Sequence, residues 1–224
     1  MCNAYNLKSS MAAIGEAADR QLRLPLLFPP GVTAKTSNMP VPSSVYPRRD
    51  GLFLRPADAA SPAAGLEPAV GCWGLVPFFH KGPLKAWKAS TNNARSETMA
   101  TSPAFREAFK RRRCVIPATS FTEWTGPTGH KTAHAISRAD GGLLFLAGLW
   151  DRCLVEGAPA ESYAMVMMDA AGDDFMARFH NRQPIVLDAE RAAVWLDLAA
   201  DPAPVLTASP AGTLVADPPE PVAA

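Results

Sequence analysis

The chain has 224 residues, 48% of them hydrophobic, which suffices for one sizeable core and falls short of two. Lys and Arg number 22 against 21 Asp and Glu, so any site for a polyanion has to be a local cluster rather than a global charge. No apolar run reaches the roughly 18 residues of a membrane span, no basic-then-apolar leader opens the chain, and the four scattered cysteines form no C-x-x-C pair. These features predict a cytosolic protein with free thiols, no membrane and no metal.

In chain order, KSSMAAIGEAA at 8–18 predicts a short helix capped by Ser9 or Ser10. From Pro25 to Pro68 the composition is rich in Pro, Ala and Ser, and it predicts loops around one strand, GLFLRP at 51–56. AVGCWGLVPFF at 69–79 predicts a buried strand ending at Pro77. SPAFREAFKRRR at 102–113 has the pattern of a helix, with Ser102 as cap, Pro103 in the first turn and cations at its end. CVIPA, SFTEWTG, KTAHAIS, GLLFLAGLWDR and SYAMVMMD follow as strands, and 171–180 as a helical stretch or turn. QPIVLD predicts a short strand whose Asp188 caps a final helix, AERAAVWLDLAA. Short strands without regular βαβ alternation predict an α+β fold, a mixed and mostly antiparallel sheet closed or sandwiched into a barrel-like core. One domain is expected over 2–200, with 201–224 a loosely held Pro- and Ala-rich tail.

Chemistry enters at the start, MCNAYN. Removal of Met1 leaves Cys2 with a free α-amine and a thiol on adjacent carbons, whose reference pKa values of about 8 and about 8.5 leave both usable near neutrality. The amine condenses with an aldehyde to a Schiff base. The thiol then closes a five-membered thiazolidine, favoured because the step is intramolecular. An internal cysteine cannot do this, because its nitrogen is an amide. Three further segments carry candidate groups. STNNARSETM at 90–99 crowds Asn, Arg and Glu together. RRCVIPATSFTEW places Glu123 on a half-apolar strand, either on the solvent face or as a functional acid. FHNRQPIVL sets His180 and Arg182 before a buried strand.

These segments together resemble the SRAP family, the SOS response-associated peptidases. The likeness runs from Cys2 through W-G-L-V-P at 73–77, N-A-R-S-E-T at 93–98, C-V-I-P-A at 114–118, F-x-E-W at 121–124 and H-N-R-x-P at 180–184. The resemblance implies binding of single-stranded DNA at abasic sites and capture of the sugar aldehyde by Cys2 as a thiazolidine crosslink; no cofactor is expected, and a monomer is the default expectation. It implies that Asn93 holds the reacting sugar or the N-terminus. It makes Glu123 the acid–base group and gives His180 the protonation of the sugar ring oxygen. Arg95 and Arg182 fall on phosphates, and Trp73 and Trp124 on DNA bases. Lys110 to Arg113 form a basic cluster, read first as a solvated helix end and second as a DNA contact. The chain departs from the family at Asn3 and Ala4, where Gly-Arg is usual, at Asn181, where Asp is common, and in a blurred wedge segment, SNMPVP at 37–42. Two other readings compete. One is an N-terminal-nucleophile hydrolase, peptidase or glutamine amidotransferase. The other is a noncovalent single-strand binding module. His130 and His134 lack the H-E-x-x-H pattern of a zinc site, and Cys72, Cys114 and Cys153 read as buried packing.

Overall fold

The structure is a computed structural model describing residues 2–217. In chain order its elements are β1 (Tyr5–Asn6), α1 (Met11–Leu22), β2 (Ser44–Val45), β3 (Asp50–Pro56), β4 (Leu66–Trp73), β5 (Asn93–Arg95), α2 (Arg106–Arg111), β6 (Arg113–Ala118), β7 (Ser120–Thr125), β8 (Thr132–Arg138), β9 (Leu144–Val155), β10 (Ala158–Asp169), β11 (Arg182–Pro184), α3 (Ala189–Leu196) and β12 (Leu214–Asp217).

Five strands close on themselves. β4 pairs with β3, β3 with β6, β6 with β9 and β9 with β10, all antiparallel, and β10 returns to β4 in parallel. The C-terminal half of β10 runs on past β4. There it takes β5 in parallel on one edge and β11 antiparallel on the other. A second sheet, in the order β12-β8-β7-β1-β2, is antiparallel throughout. The expected α+β architecture with a barrel-like core is therefore what the chain forms.

Strand alternation sorts the core into two apolar sets. On β9, Phe145, Ala147 and Leu149 join Leu52, Val115 and Val166 beneath Ile14 of α1 and Trp195 of α3. The intervening Leu144 and Leu146 face the other way, with Phe53, Ile116, Tyr163 and Met165, and meet Cys2, Tyr5, Phe121 and Ile136 from the second sheet. In that second set the hydroxyls of Tyr5 and Tyr163 hydrogen-bond at 2.5 Å. They can approach because residue 51 is glycine: a Cβ there would lie 2.0 Å from the Tyr163 oxygen.

Several boundaries differ from expectation. α1 is capped by Ser10, whose Oγ accepts from Ala13 N, and runs on to Leu22 before Arg23 turns left-handed at φ 58°. β4 stops at Trp73 rather than Pro77, because Gly74 takes φ 154° and turns the chain out of the sheet. The helix expected over 102–113 begins only at Arg106; Ser102 serves through its carbonyl, which accepts from Phe105 N and Arg106 N, and α2 is six residues long. The strand expected over QPIVLD is confined to β11, with Val186 adding an isolated bridge to Leu146. Asp188 caps α3 as expected, its Oδ1 accepting from Arg191 N. The tail is less loose than its composition suggests, since Leu214–Asp217 pairs with β8; residues 218–224 lie outside the described residues. Cys72 is half-buried, whereas Cys114 and Cys153 are buried.

The expected basic cluster is largely consumed by packing. Arg113 is buried, donates to the carbonyls of Phe109, Trp195 and Asp197, and lies over the Phe109 and Trp195 rings. Arg112 pairs with buried Asp151 at 3.0 Å. Only Lys110 and Arg111 face solvent.

Candidate active site

Cys2 is fully buried beside the second sheet. Its neighbours are fixed by backbone pairing: Thr122 N donates to Ala4 O at 2.9 Å and Thr119 N to Asn6 O at 2.7 Å, so β7 carries the N-terminal segment. Asn93, at the head of β5, donates its Nδ2 proton to the Cys2 carbonyl at 2.7 Å. Together with the Tyr5–Tyr163 hydroxyl pair and a 3.4 Å bond from Asn92 Nδ2 to Asn3 Oδ1, it ties the barrel side of the molecule to the start of the chain. The Cys2 thiol donates to Ala4 O at 3.3 Å. Burial, and then the Glu123 carboxylate, push it up to about 12, so the sulfur is a neutral thiol.

Glu123 lies on the inner face of β7, two residues from buried Phe121, and is 1% exposed. Burial raises its carboxyl to about 7, and among the described residues its Oε1 has no hydrogen-bond partner. Of the two readings open in the sequence, buried acid or solvent-facing carboxylate, the structure has the first. Directly across the sheet stands His134, also buried, its Nε2 2.8 Å from Thr125 Oγ1. The His134 ring meets Phe179 edge-on at 5.1 Å, and Phe179 precedes His180. By this route the H-N-R segment reaches the same end of the molecule as Glu123. His180 Nδ1 accepts from Arg182 N at 2.9 Å, which leaves its ring proton on Nε2. Burial chiefly, with Arg182 nearby, lowers the imidazole's pKa, so it is neutral at pH 7.

Cys2, Asn93 and Glu123 are thus brought together, and His180 follows the Phe179 that packs on His134. The expected DNA contacts fare unevenly. Arg95 is exposed on β5. Arg182 is held in a bidentate pair by Glu97, Nη1 to Oε1 at 2.6 Å and Nη2 to Oε2 at 2.9 Å, and this pair draws Glu97 down to about 2. Trp73 does not fit the base-stacking role. It is fully buried, edge-on to Tyr5 at 5.2 Å, with Nε1 donating to Asn92 O. Trp124 is half-buried, next to Glu123 on the opposite face of β7. Sequence reasoning missed Glu97 and His134. Glu97 looked like one more charge in a polar string. His134 could be found only by pairing β7 with β8 in register. Among the described residues, no group of three or more His, Cys, Asp and Glu could hold a metal ion.

Segments far apart in sequence thus lie around Cys2, and the sequence model of the SOS response associated peptidase (SRAP) family matches residues 1–217. The chain belongs to this family. It is 34% identical over 125 residues to the abasic site processing protein YedK of Escherichia coli, covering 55% of this chain and 52% of that one. Identity is 32% over 127 residues to the abasic site processing protein YoaM of Bacillus subtilis, 56% and 54% of the two chains. To the abasic site processing protein HMCES of Gallus gallus it is 30% over 154 residues, 58% and 45%. The chain spans about half the length of these curated relatives. A crystal structure of a Bordetella bronchiseptica protein, 29% identical, superimposes with a TM-score of 0.77 over 96% of this chain and 98% of that one. Within the SRAP fold, N-A-R-S-E-T thus supplies both the Asn93 clamp on Cys2 and the Glu97 brace on Arg182.

Proposed function

We propose that this chain captures abasic sites in single-stranded DNA, forming a thiazolidine through Cys2 once Met1 has been removed. The observation that carries the reading is the clamp itself: a buried Cys2 with its carbonyl on Asn93 and a carboxyl near pH 7 beside its thiol. Its relatives' description as abasic site processing proteins agrees with it.

The chemistry follows from the groups present. The open-chain sugar offers an aldehyde, and His180 Nε2–H can donate to the ring oxygen as the closed form opens. The Cys2 amine adds to the aldehyde carbon, and loss of water leaves an imine. Glu123 takes the proton from nitrogen and returns it to the departing hydroxyl, a shuttle suited to a pKa near the working pH. The thiol then adds across the imine: the S–C bond forms and the S–H proton ends on nitrogen. A neutral thiol suffices for this route. An N-terminal-nucleophile hydrolase needs a thiolate, which burial and Glu123 both disfavour.

The test is a single-stranded oligonucleotide bearing one abasic site, mixed with the mature protein and run under denaturing conditions. The wild type should give a shifted, denaturant-resistant band. Cys2→Ala, and a protein with an extra residue left ahead of Cys2, should give none. Equal crosslinking by the blocked protein would rule out the thiazolidine, and release of ammonia from glutamine without any crosslink would favour the hydrolase.

A further inference from the structure

His180 is held from two sides, and the two holds belong to different sheets. On its C-terminal side the barrel takes it. Arg182 opens β11, which pairs with β10, the Arg182 guanidinium is braced by Glu97, and Asn181 O accepts from Ala170 N at 3.0 Å. On its N-terminal side the chain makes a turn in which Asp173 Oδ1 accepts from Phe175 N and Met176 N, and His180 N donates to Met176 O at 3.0 Å. Phe179 leaves this turn and is buried in the second apolar set, the one that contains Cys2 and Phe121. Its ring meets His134 edge-on at 5.1 Å. The other ring contacts of Phe179 among the described residues, Phe175 at 5.2 Å and the Arg178 guanidinium at 5.8 Å, come from the same turn.

His134 is itself fixed on β8. It is fully buried and stands opposite Glu123 in the β7–β8 register. Residues so paired project from the same face of the sheet, with Cβ atoms about 5 Å apart. Thr125, two residues along β7 and on that same face, holds the imidazole Nε2 at 2.8 Å and so sets the plane of the ring. One face of the second sheet therefore carries both the Glu123 carboxyl and the ring on which Phe179 rests.

We infer that His134 is a positioning residue: its ring, acting through Phe179, sets where the His180 imidazole stands relative to Glu123. β11 by itself registers His180 to the barrel, whereas Glu123 lies on β7 and Cys2 on the segment that β7 carries, both in the other sheet. The His134–Phe179 contact supplies the second reference. Proton donation to the sugar ring oxygen is sensitive to it, because an error of about 1 Å at a reacting group costs about a hundredfold in rate. This role rests on the function proposed above, and it adds a residue that acts on the reaction only through another.

The experiment mixes the mature protein with either of two single-stranded oligonucleotides. One carries an ordinary abasic site. In the other the abasic sugar lacks the hydroxyl that closes its ring, so it always presents the aldehyde. Crosslinking rates are read at saturating protein, and noncovalent affinity is read in a Cys2→Ala background. His134→Ala should slow crosslinking to the ordinary site by about tenfold or more, leave the open-chain oligonucleotide within about twofold of wild type, and leave the affinity unchanged. His134→Phe keeps a ring edge for Phe179 and should recover most of the rate. Thr125→Val opens no cavity and only frees the ring to turn. It should slow the ordinary site alone, by a smaller factor, and it carries the test if His134→Ala does not fold. Equal slowing on both oligonucleotides would overturn this role, since a fold defect or an effect on Glu123 acts on either aldehyde. Wild-type rates on the ordinary site in His134→Ala and Thr125→Val alike would overturn it too. A wild type that crosslinks neither oligonucleotide would overturn the abasic-site reading itself.

Discussion

Glu123 shows what one buried carboxyl costs in stability. Its carboxyl titrates near 4.5 in an unfolded chain and at about 7 in the fold, because burial penalises the charged form. Below pH 4.5 both states are protonated and nothing is lost. Between 4.5 and 7 the folded protein binds more protons than the unfolded one, so stability falls as pH rises, and above 7 the full penalty persists. The shift corresponds to about 3 kcal/mol at about 1.36 kcal/mol per unit. Glu123→Gln should therefore raise the urea midpoint at pH 8 and leave it unchanged at pH 4, while slowing crosslinking. A gain that is the same at both pH values would mean that the carboxyl is not held near 7. The sequence offered Glu123 as a choice between solvent and site, since a single carboxylate in an alternating strand fits either face. The register that puts it opposite His134 turns it inward, away from solvent.

At the scale of elements, β5 and β11 are three residues each and survive because β10 holds both. Glu97 and Arg182 span the gap between them. Arg182 was legible as a cation near a histidine, but its partner lies 85 residues away, so its occupied state was not. Glu97→Gln removes the charge that the guanidinium now serves. Noncovalent affinity for single-stranded DNA should rise, and its salt slope should steepen by about 0.7, one phosphate contact. Unchanged affinity would confine Arg182 to joining the two strands. The same logic applies to Lys110–Arg113, which looked like the basic surface, yet two of its arginines fold inward onto Asp151 and Trp195.

For the whole molecule, the strand ring closes on itself, whereas the second sheet is open, and there β12 covers β8. Ending the chain at Gly212 would strip Leu214 from the core and bare that edge. The cost, about 2 kcal/mol for one buried leucine, should lower the melting temperature by roughly 4–8 °C for a domain of this size. A melting temperature unchanged within a degree would mean that the segment is dispensable, as its Pro- and Ala-rich composition suggested.

The sequence alone supplied the candidate groups and most of the elements. Strand alternation and helix caps are local, so most strands, the Asp188 cap and the choice of Ser9 or Ser10 as the first cap were readable. The tertiary structure decided which parts meet and in what state. It buried Trp73, paired Arg182 with Glu97 and placed Glu123 beside the Cys2 thiol. Those outcomes depend on long-range register and on burial. Both change a side chain's partners and protonation without leaving a mark in the residues next to it.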